Sequence, residues 1–167
     1  MVVLEHKGLY WSKIPGTEDA KCIEPDEDYI IPLGQARVVQ HATNEISCSI
    51  ITYGRGVYWA LEASANFPGA IEIIDLRTLV PLDFATVASS IKRTSRCLVL
   101  TEEPVANSFA QALSGRIAKE CFEDLDAAPQ VIGSVELPAI PLNESMEQDV
   151  LPNAEKVSAA IGTLLDY

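Results

Sequence analysis

Hydrophobic positions from residue 45 to residue 167 alternate between short β-branched runs and longer stretches with helical spacing. This alternation is typical of a parallel sheet that is covered by helices. It predicts four strands, at residues 49–53, 71–74, 97–100 and 131–133. The sequence therefore favours a three-layer α/β fold.

Four helices are predicted around these strands. One runs from Val57 to about Phe67, where Pro68 and Gly69 end it, and another follows Asp83 as its N-cap to about residue 92. The last two span residues 108–122 and 155–165. In the helix at 108–122, spacing predicts an inward face of Phe109, Ala112, Leu113, Ile117 and Ala118.

Residues 1–40 lack this regular alternation. Residues 2–5 are compatible with a strand, whereas residues 16–28 are polar, acidic and proline-containing and predict an exposed loop. We expect this arm to add an antiparallel edge strand and to wrap back toward residues 31–34. Arm (1–40) and α/β core (41–167) are expected to form one domain.

The charge balance restricts the classes of partner. Twelve basic against twenty-four acidic residues give a formal net charge of −12, which opposes binding to nucleic acid or to anionic membranes and favours a basic protein partner. The chain contains no run of about 20 apolar residues, and the apolar run near residue 1 is too short for a signal peptide. We therefore expect a cytoplasmic protein.

Cysteines and histidines do not form a recognisable site. The four cysteines are far apart and include no C-x-x-C pair, which disfavours a zinc or thioredoxin-like site. His6 lies between Glu5 and Lys7 without an identifiable nucleophile, and His41 is isolated. We assign no catalytic, cofactor-binding or metal-binding residue to this chain.

One alternative is a dinucleotide site. Gly54 and Gly56 follow a predicted strand and open a helix, and Asp75 ends the next strand. The position of the third glycine is occupied by Trp59, which is too large to let the helix approach the sheet. The other interpretation is that both glycines make a tight turn, in which case Arg55 and Trp59 should close the position at Gly54.

The sequence Asp-Leu-Arg-Thr-Leu-Val-Pro-Leu-Asp at residues 75–83 is the densest local signal. It predicts a strand end, a turn set by Pro81 and a helix capped by Asp83. Arg77 lies between two aspartates and is expected to organise the loop through a salt bridge. Glu102 ends the next strand, at the edge where open α/β sheets place functional loops.

These segments resemble a known family. Leu-Glu-His-Lys-Gly-Leu-Tyr at 4–10, Ile-Pro-Leu-Gly-Gln-Ala at 31–36, Ile-Ile-Thr-Tyr-Gly at 50–54, the 75–83 motif and Leu-Pro at 151–152 occur in the order seen in one domain family. It is the transketolase C-terminal domain of the beta chains of pyruvate and branched-chain 2-oxo acid dehydrogenase first components. The motif residues are Glu5, His6, Lys7, Pro32, Leu33, Gly34, Gly54, Asp75, Arg77, Pro81, Asp83 and Glu102.

The resemblance implies a three-layer α/β sandwich whose sheet is mostly parallel with one antiparallel edge strand. In that family, thiamine diphosphate and Mg²⁺ are bound by other domains, which also catalyse oxidative decarboxylation of a 2-oxo acid with transfer to lipoyl. The resemblance thus implies a non-catalytic domain that contacts the other domains or the alpha subunit, forms a beta–beta contact, and docks the subunit-binding domain of the acyltransferase.

Two departures from the family concern one loop, where Asn107-Ser108 replaces a Gly-Gly pair and Ala112 replaces an acidic residue. The partner contacts of that loop are therefore in question. Residues 137–143 resemble relatives in which alpha and beta parts are fused. A further alternative is a transketolase or a deoxyxylulose-phosphate synthase as the parent protein, against which residues 4–7 and 31–34 argue.

Acidic residues gather where the long predicted helix ends. Carboxylates there oppose the helix dipole, so we expect them to gain nothing locally and to serve an external cation. By resemblance, that cation belongs to the basic subunit-binding domain of the acyltransferase. The predicted docking residues are Glu120, Glu123, Asp124, Asp126 and Tyr167 with its terminal carboxylate.

Overall fold

The computed structural model describes residues 3–11 and 14–167. Within these ranges one sheet contains the strands β1 (Arg37–Gln40), β2 (Cys48–Thr52), β3 (Ile71–Asp75), β4 (Cys97–Pro104) and β5 (Gln130–Ser134). Their spatial order is β1-β3-β2-β4-β5. β1 runs antiparallel to β3, and the other neighbours are parallel. This is the expected sheet, mostly parallel with one antiparallel edge strand.

Helices lie on both faces of the sheet. They are α1 (Gly56–Ser64), α2 (Phe84–Thr94), α3 (Phe109–Glu120), α4 (Glu144–Val150) and α5 (Ala154–Leu165). α1 and α5 enclose one apolar core, and α2 and α3 enclose the other. In the described ranges no helix is both long enough and apolar enough to cross a membrane.

The central strands are apolar on both faces because helices cover both. Successive residues of a strand point to opposite sides. Accordingly, Ile50 packs in the core under α1 and α5, whereas Ile51 packs in the core under α2 and α3. Every residue of β2 is buried. The continuous apolar runs in the sequence are thus a consequence of the three-layer arrangement.

The four predicted strands are confirmed, and β4 extends further than predicted, to Pro104. The helix predicted to reach about Phe67 ends at Ser64 instead. Beyond it the Asn66 amide donates to the Ala63 carbonyl oxygen (3.2 Å) and the Phe67 amide to that of Ser64 (2.9 Å). These bonds span three residues, so the chain tightens into turns before Pro68 and Gly69 are reached.

The inward face of α3 differs from the predicted one. Its buried residues are Ala110, Leu113 and Ile117, which follow helical spacing. Ala112 and Ala118 are exposed, so their predicted inward orientation is wrong. Each of these two alanines is one residue, and hence about 100° of rotation, away from a buried position.

The arm contributes the edge strand at its end, as β1, and not at its beginning. Residue 2 of the predicted strand at 2–5 lies outside the described residues, and residues 3–5 are not in a strand, so that prediction is wrong. Short 3₁₀ helices occupy Lys7–Trp11 and Glu18–Ala20. The predicted loop at 16–28 is largely exposed, although Thr17 is buried.

The short helix α4 was not predicted. Asn143 caps it by accepting hydrogen bonds from the amides of Ser145 and Met146. At its other end the Lys156 ammonium group donates to backbone carbonyl oxygens of residues 148, 149 and 151, which the helix leaves without partners. α4 is thereby attached to the first turn of α5.

Candidate functional site

Two of the sequence motifs meet at the loop that follows β3. The Gly34 amide donates to the Thr78 hydroxyl oxygen (2.8 Å), and the Thr78 hydroxyl donates to the Pro81 carbonyl oxygen (3.0 Å). Gly34 has φ +76°, and a Cβ there would lie 2.9 Å from Cγ of Pro81. Glycine is needed at this position because the two segments approach too closely for a side chain. Pro32 and Leu33, just before it, are exposed.

Asp83 completes this junction. One carboxylate oxygen accepts from the Ala36 amide (2.9 Å) and from the Thr86 hydroxyl (2.7 Å), and the other accepts from the Thr86 amide (3.1 Å). The predicted N-cap is therefore confirmed, and the same side chain also holds the arm. Desolvation acts to raise the pKa of Asp83, but these hydrogen bonds outweigh it and lower the pKa below its ordinary value.

Asp75 and Arg77 interact through the backbone. Oδ1 of Asp75 accepts from the Arg77 amide (3.0 Å), and Arg77 has φ +57°. Among the described residues no carboxylate lies within 4.0 Å of the Arg77 guanidinium, so the predicted salt bridge is wrong. Burial raises the pKa of Asp75, against the opposing effects of the Arg77 amide and of the Arg77 and Arg37 charges.

The second junction brings His6 to the ends of β2 and β4. Nε2 of His6 lies 2.7 Å from Oε2 of Glu102. A carboxylate only accepts, so Nε2 carries the proton in this bond. A Cβ on Gly54, which has φ +58°, would lie 3.4 Å from Cδ2 of His6. The imidazole therefore lies over Gly54.

Arg55 extends this second junction. Its guanidinium lies over the Trp59 ring, 4.8 Å from the centroid. It also lies 3.5 Å from Glu102 and 4.0 Å from Glu147 of α4. Glu102 is thus shared between an imidazole and a guanidinium, which joins the arm, β4 and the start of α1.

Of the sequence motif at residues 4–10, mainly His6 takes part in this junction. Glu5 is exposed and accepts a hydrogen bond from the Tyr10 hydroxyl within the same segment. Lys7 is also exposed. The contact of residues 4–10 with the strand ends is therefore made mainly by the His6 imidazole.

The glycines after β2 have structural roles. A Cβ on Gly56 would collide with the hydroxyl of Thr52, which itself donates to the Leu100 carbonyl oxygen (2.9 Å). Trp59 is buried in the core. His6 covers Gly54, while Arg55 and Trp59 line a neighbouring cavity of about 260 Å³ beside residues 15–17 and the start of α5. The position at Gly54 is closed, although by His6 and not by the predicted pair.

Glu103 points to the opposite face from Glu102. Its Oε1 accepts from the Tyr53 hydroxyl (2.9 Å) and from the Phe109 amide (3.0 Å) at the start of α3. Tyr53 also contacts the Phe109 ring edge-on. Burial raises the pKa of Tyr53 to about 12, so its hydroxyl stays protonated and keeps donating.

The acidic residues at the end of α3 have unequal surroundings. Glu120 pairs with Arg116 one turn earlier (2.9 Å), and Asp126 pairs with the largely buried Arg96 (3.3 Å). The expectation that the cluster gains nothing locally is wrong for these two. Glu123 and Asp124 lie in a 3₁₀ turn that begins with the exposed Phe122.

Tyr167 is also exposed, but it follows α5, which packs on the opposite face of the sheet from α3.

The surroundings of the buried carboxylate of Glu72 were not predicted from the sequence. Glu72 of β3 accepts from the Ser90 hydroxyl (2.5 Å) and from Arg93, and it lies 3.2 Å from Nδ1 of His41. An acidic residue within an apolar strand run was the available signal, because such a side chain needs partners when buried. In the described part of the chain no group of three or more histidine, cysteine or carboxylate residues could hold a metal ion.

The profile of the family described as "Transketolase, C-terminal domain" matches residues 34–157. The 2-oxoisovalerate dehydrogenase subunit beta of Bacillus subtilis is 30% identical over 146 residues, 86% of this chain and 44% of the relative. The acetoin:2,6-dichlorophenolindophenol oxidoreductase subunit beta of Cupriavidus necator is 34% identical over 163 residues, 96% and 45% respectively.

A third relative is the pyruvate dehydrogenase E1 component subunit beta of Rickettsia conorii, which is 32% identical over 171 residues, 100% of this chain and 48% of the relative. The chain spans less than half the length of each of these relatives. Among solved structures, "Split gene transketolase, inactive beta4 tetramer" is similar with a TM-score of 0.68 and 19% identity, covering 84% of this chain and 45% of that chain. This likeness agrees with the three-layer α/β fold.

Replacing Asp83 by Asn should make the chain less sensitive to acid. A lowered pKa stabilises the folded state above about pH 4, and this stabilisation is lost as the pH falls through the folded-state pKa. The free energy of unfolding of Asp83→Asn should therefore fall less than that of the wild type between pH 5 and about pH 3, as measured by urea denaturation. Asp28→Asn, which removes an exposed carboxylate of the arm, is the control. Equal pH dependence in all three proteins would contradict this role.

Proposed function

The chain belongs to the family of transketolase C-terminal domains, and on that premise we propose that it is a non-catalytic structural and docking domain. Its parent is a thiamine-diphosphate-dependent first component of a 2-oxo acid dehydrogenase, which decarboxylates a 2-oxo acid oxidatively and transfers the product to lipoyl. Two relatives, a 2-oxoisovalerate dehydrogenase subunit beta and a pyruvate dehydrogenase E1 component subunit beta, support this parent. We also propose that the protein is cytoplasmic.

The observation that carries the proposal is the distribution of exposed apolar side chains. Val80 follows β3 and is 90% exposed, and Val135 follows β5. Leu33 lies beside the loop after β3, through the bond of Gly34 to Thr78. We define the apolar edge as the exposed residues Leu4, Leu33, Val80, Val135, Leu137, Ile140 and Leu142.

Val80 and Val135 follow the ends of β3 and β5, and Leu33 lies beside the loop after β3. The other members follow Val135 in sequence, except Leu4, which lies two residues before His6. A cluster of exposed apolar residues of this kind marks a surface that another protein covers. The proposed cover is a second beta chain, next to the other domains or alpha subunit of the parent. The beta4 tetramer named for the similar transketolase structure supports self-contact, since its assembly consists of beta chains alone.

Thiamine diphosphate and Mg²⁺ are proposed to bind to other domains of the parent. The described residues offer no cluster that could hold a metal ion, and the net charge of −12 repels a diphosphate. Isothermal titration calorimetry of this chain with the cofactor and Mg²⁺ should therefore give no saturable heat. Saturable binding in the micromolar range would assign cofactor chemistry to this domain.

Charges on the apolar edge should weaken self-association. Leu33→Asp and Leu142→Asp each place a carboxylate where a dry contact is proposed, and burying an unpaired charge is costly. The sedimentation coefficient of the wild type should rise with concentration, and both variants should reduce this rise at least several-fold. Ile46→Asp is the matched control because Ile46 is exposed at the opposite edge, just before β2. An equal effect of all three substitutions would contradict a specific contact.

We also propose that the acidic end of α3 binds the subunit-binding domain of the acyltransferase. Glu123 and Asp124 carry charge beside Phe122, which is 75% exposed, and an exposed aromatic among carboxylates suits a partner with Lys or Arg side chains. Glu120 and Asp126 have their own arginine partners and therefore contribute less. Tyr167 follows α5 on the opposite face of the sheet from α3, and we therefore leave it out of this proposed surface.

Charge reversal should test this docking surface. Glu123→Lys combined with Asp124→Lys should weaken binding of the subunit-binding domain to the assembled enzyme and reduce its salt dependence, because two attractive charges become repulsive. Asp126 is left intact, since its removal would leave the largely buried Arg96 without its carboxylate. Glu27→Lys, at an exposed residue of the arm outside both proposed surfaces, is the control. Unchanged affinity and salt response in the double variant would place docking elsewhere.

A further inference from the structure

The carboxyl ends of β2 and β4 form a crevice. These strands are neighbours, but the chain leaves β2 toward α1 on one face and leaves β4 toward α3 on the other. In open α/β sheets, such a divergence creates the crevice in which ligands usually bind. Gly54 lies on one side of this crevice, and Glu102 lies on the other.

His6 of the arm fills this crevice. Its Nε2 bonds Glu102, which is 96 residues away in sequence, and its ring lies against Gly54. Its other nitrogen, Nδ1, is buried without a hydrogen-bond partner. A side chain on Gly8 would also meet the ring, at 3.1 Å from Cε1. The imidazole, which is 29% exposed, thus lies between the arm and the sheet.

We propose that the N-terminal arm is a strap that closes this crevice, with His6 as its latch. The rest of the strap is weakly embedded: of residues 3–33 whose burial is described, only Thr17 is buried. A hydrogen bond to a charged acceptor is among the stronger single contacts that can hold such a segment. The chain's own arm therefore takes the place that a ligand takes in other α/β folds.

The strap closes more than the crevice. Residues 15–17 line the same cavity as Arg55 and Trp59 of the α1 segment. Release of the latch consequently uncovers Gly54 and increases the access of solvent to Trp59. The strap goes beyond the proposed function, because it concerns the closed state of this chain alone and requires no partner.

Hydrogen–deuterium exchange of the full chain tests the latch. His6→Ala should increase amide exchange in residues 3–11 about tenfold, the size of one hydrogen bond to a charged group, and should leave β4 unchanged. Glu102→Gln, which keeps the shape but removes the charge, should act in the same direction. His41→Ala is the control, since His41 lies 3.2 Å from Glu72 and outside the strap. If His6→Ala fails to fold, Glu102→Gln decides the outcome.

A fluorescence measurement gives an independent readout. In a Trp11→Phe background Trp59 is the sole tryptophan of the chain, and His6→Ala should increase its quenching by acrylamide at least twofold. Exchange of residues 3–11 that is equally fast in wild type and in both latch variants would overturn the proposal, as would unchanged quenching. Because Leu4 of the apolar edge lies within residues 3–11, both readouts are taken at a concentration at which sedimentation gives a monomer. A failure of the proposed assembly then leaves this test intact.

Discussion

The hydrogen bond from the Ala36 amide to the Asp83 carboxylate fixes the edge of the sheet on which the rest of the domain depends. Asp83 also caps α2, so one side chain sets both the start of a helix and the end of the arm. β1 begins at Arg37, directly after this bond, and pairs with β3 from Asp75 backward. A four-residue edge strand has little stability of its own, and the carboxylate supplies its fixed starting point. The lowered pKa of Asp83 follows from the same contacts.

The two glutamates at the end of β4 show how strand alternation distributes polar contacts. Glu102 faces the arm and Arg55, whereas Glu103 faces Tyr53 and the first turn of α3. Each carboxylate thus satisfies donors on one face of the sheet. Polar residues at strand ends can be explained by this requirement, because half-buried donors need acceptors there. Both acidic residues of this pair therefore have structural partners of their own.

Hydrophobic periodicity predicted the layers, four strands and three helices that the structure has at 84–94, 109–120 and 154–165, because both faces of the sheet impose a strong pattern. The N-cap at Asp83 could also be predicted from the sequence, because it depends on a residue only three positions away. The roles of His6 and His41 could not be predicted in this way, because their carboxylate partners are 96 and 31 residues distant in sequence. The position of β1 was not predicted for a similar reason. Arg37–Gln40 is short, and it forms a strand because it pairs with β3.

The two proposed contact surfaces, the apolar edge and the acidic end of α3, lie at opposite edges of the parallel sheet. Loops after β2, β3, β4 and β5 all lie at the carboxyl edge, where Val80 and Val135 of the apolar edge and the proposed latch His6 are found. α3 returns the chain to the opposite edge, so its acidic end, with Glu123 and Asp124, lies about the length of the helix away. Twelve residues at 1.5 Å each give about 18 Å, well beyond the screening length of about 8 Å at physiological salt. A charged partner at one edge therefore leaves an apolar contact at the other undisturbed, and one small domain can serve both assembly and docking.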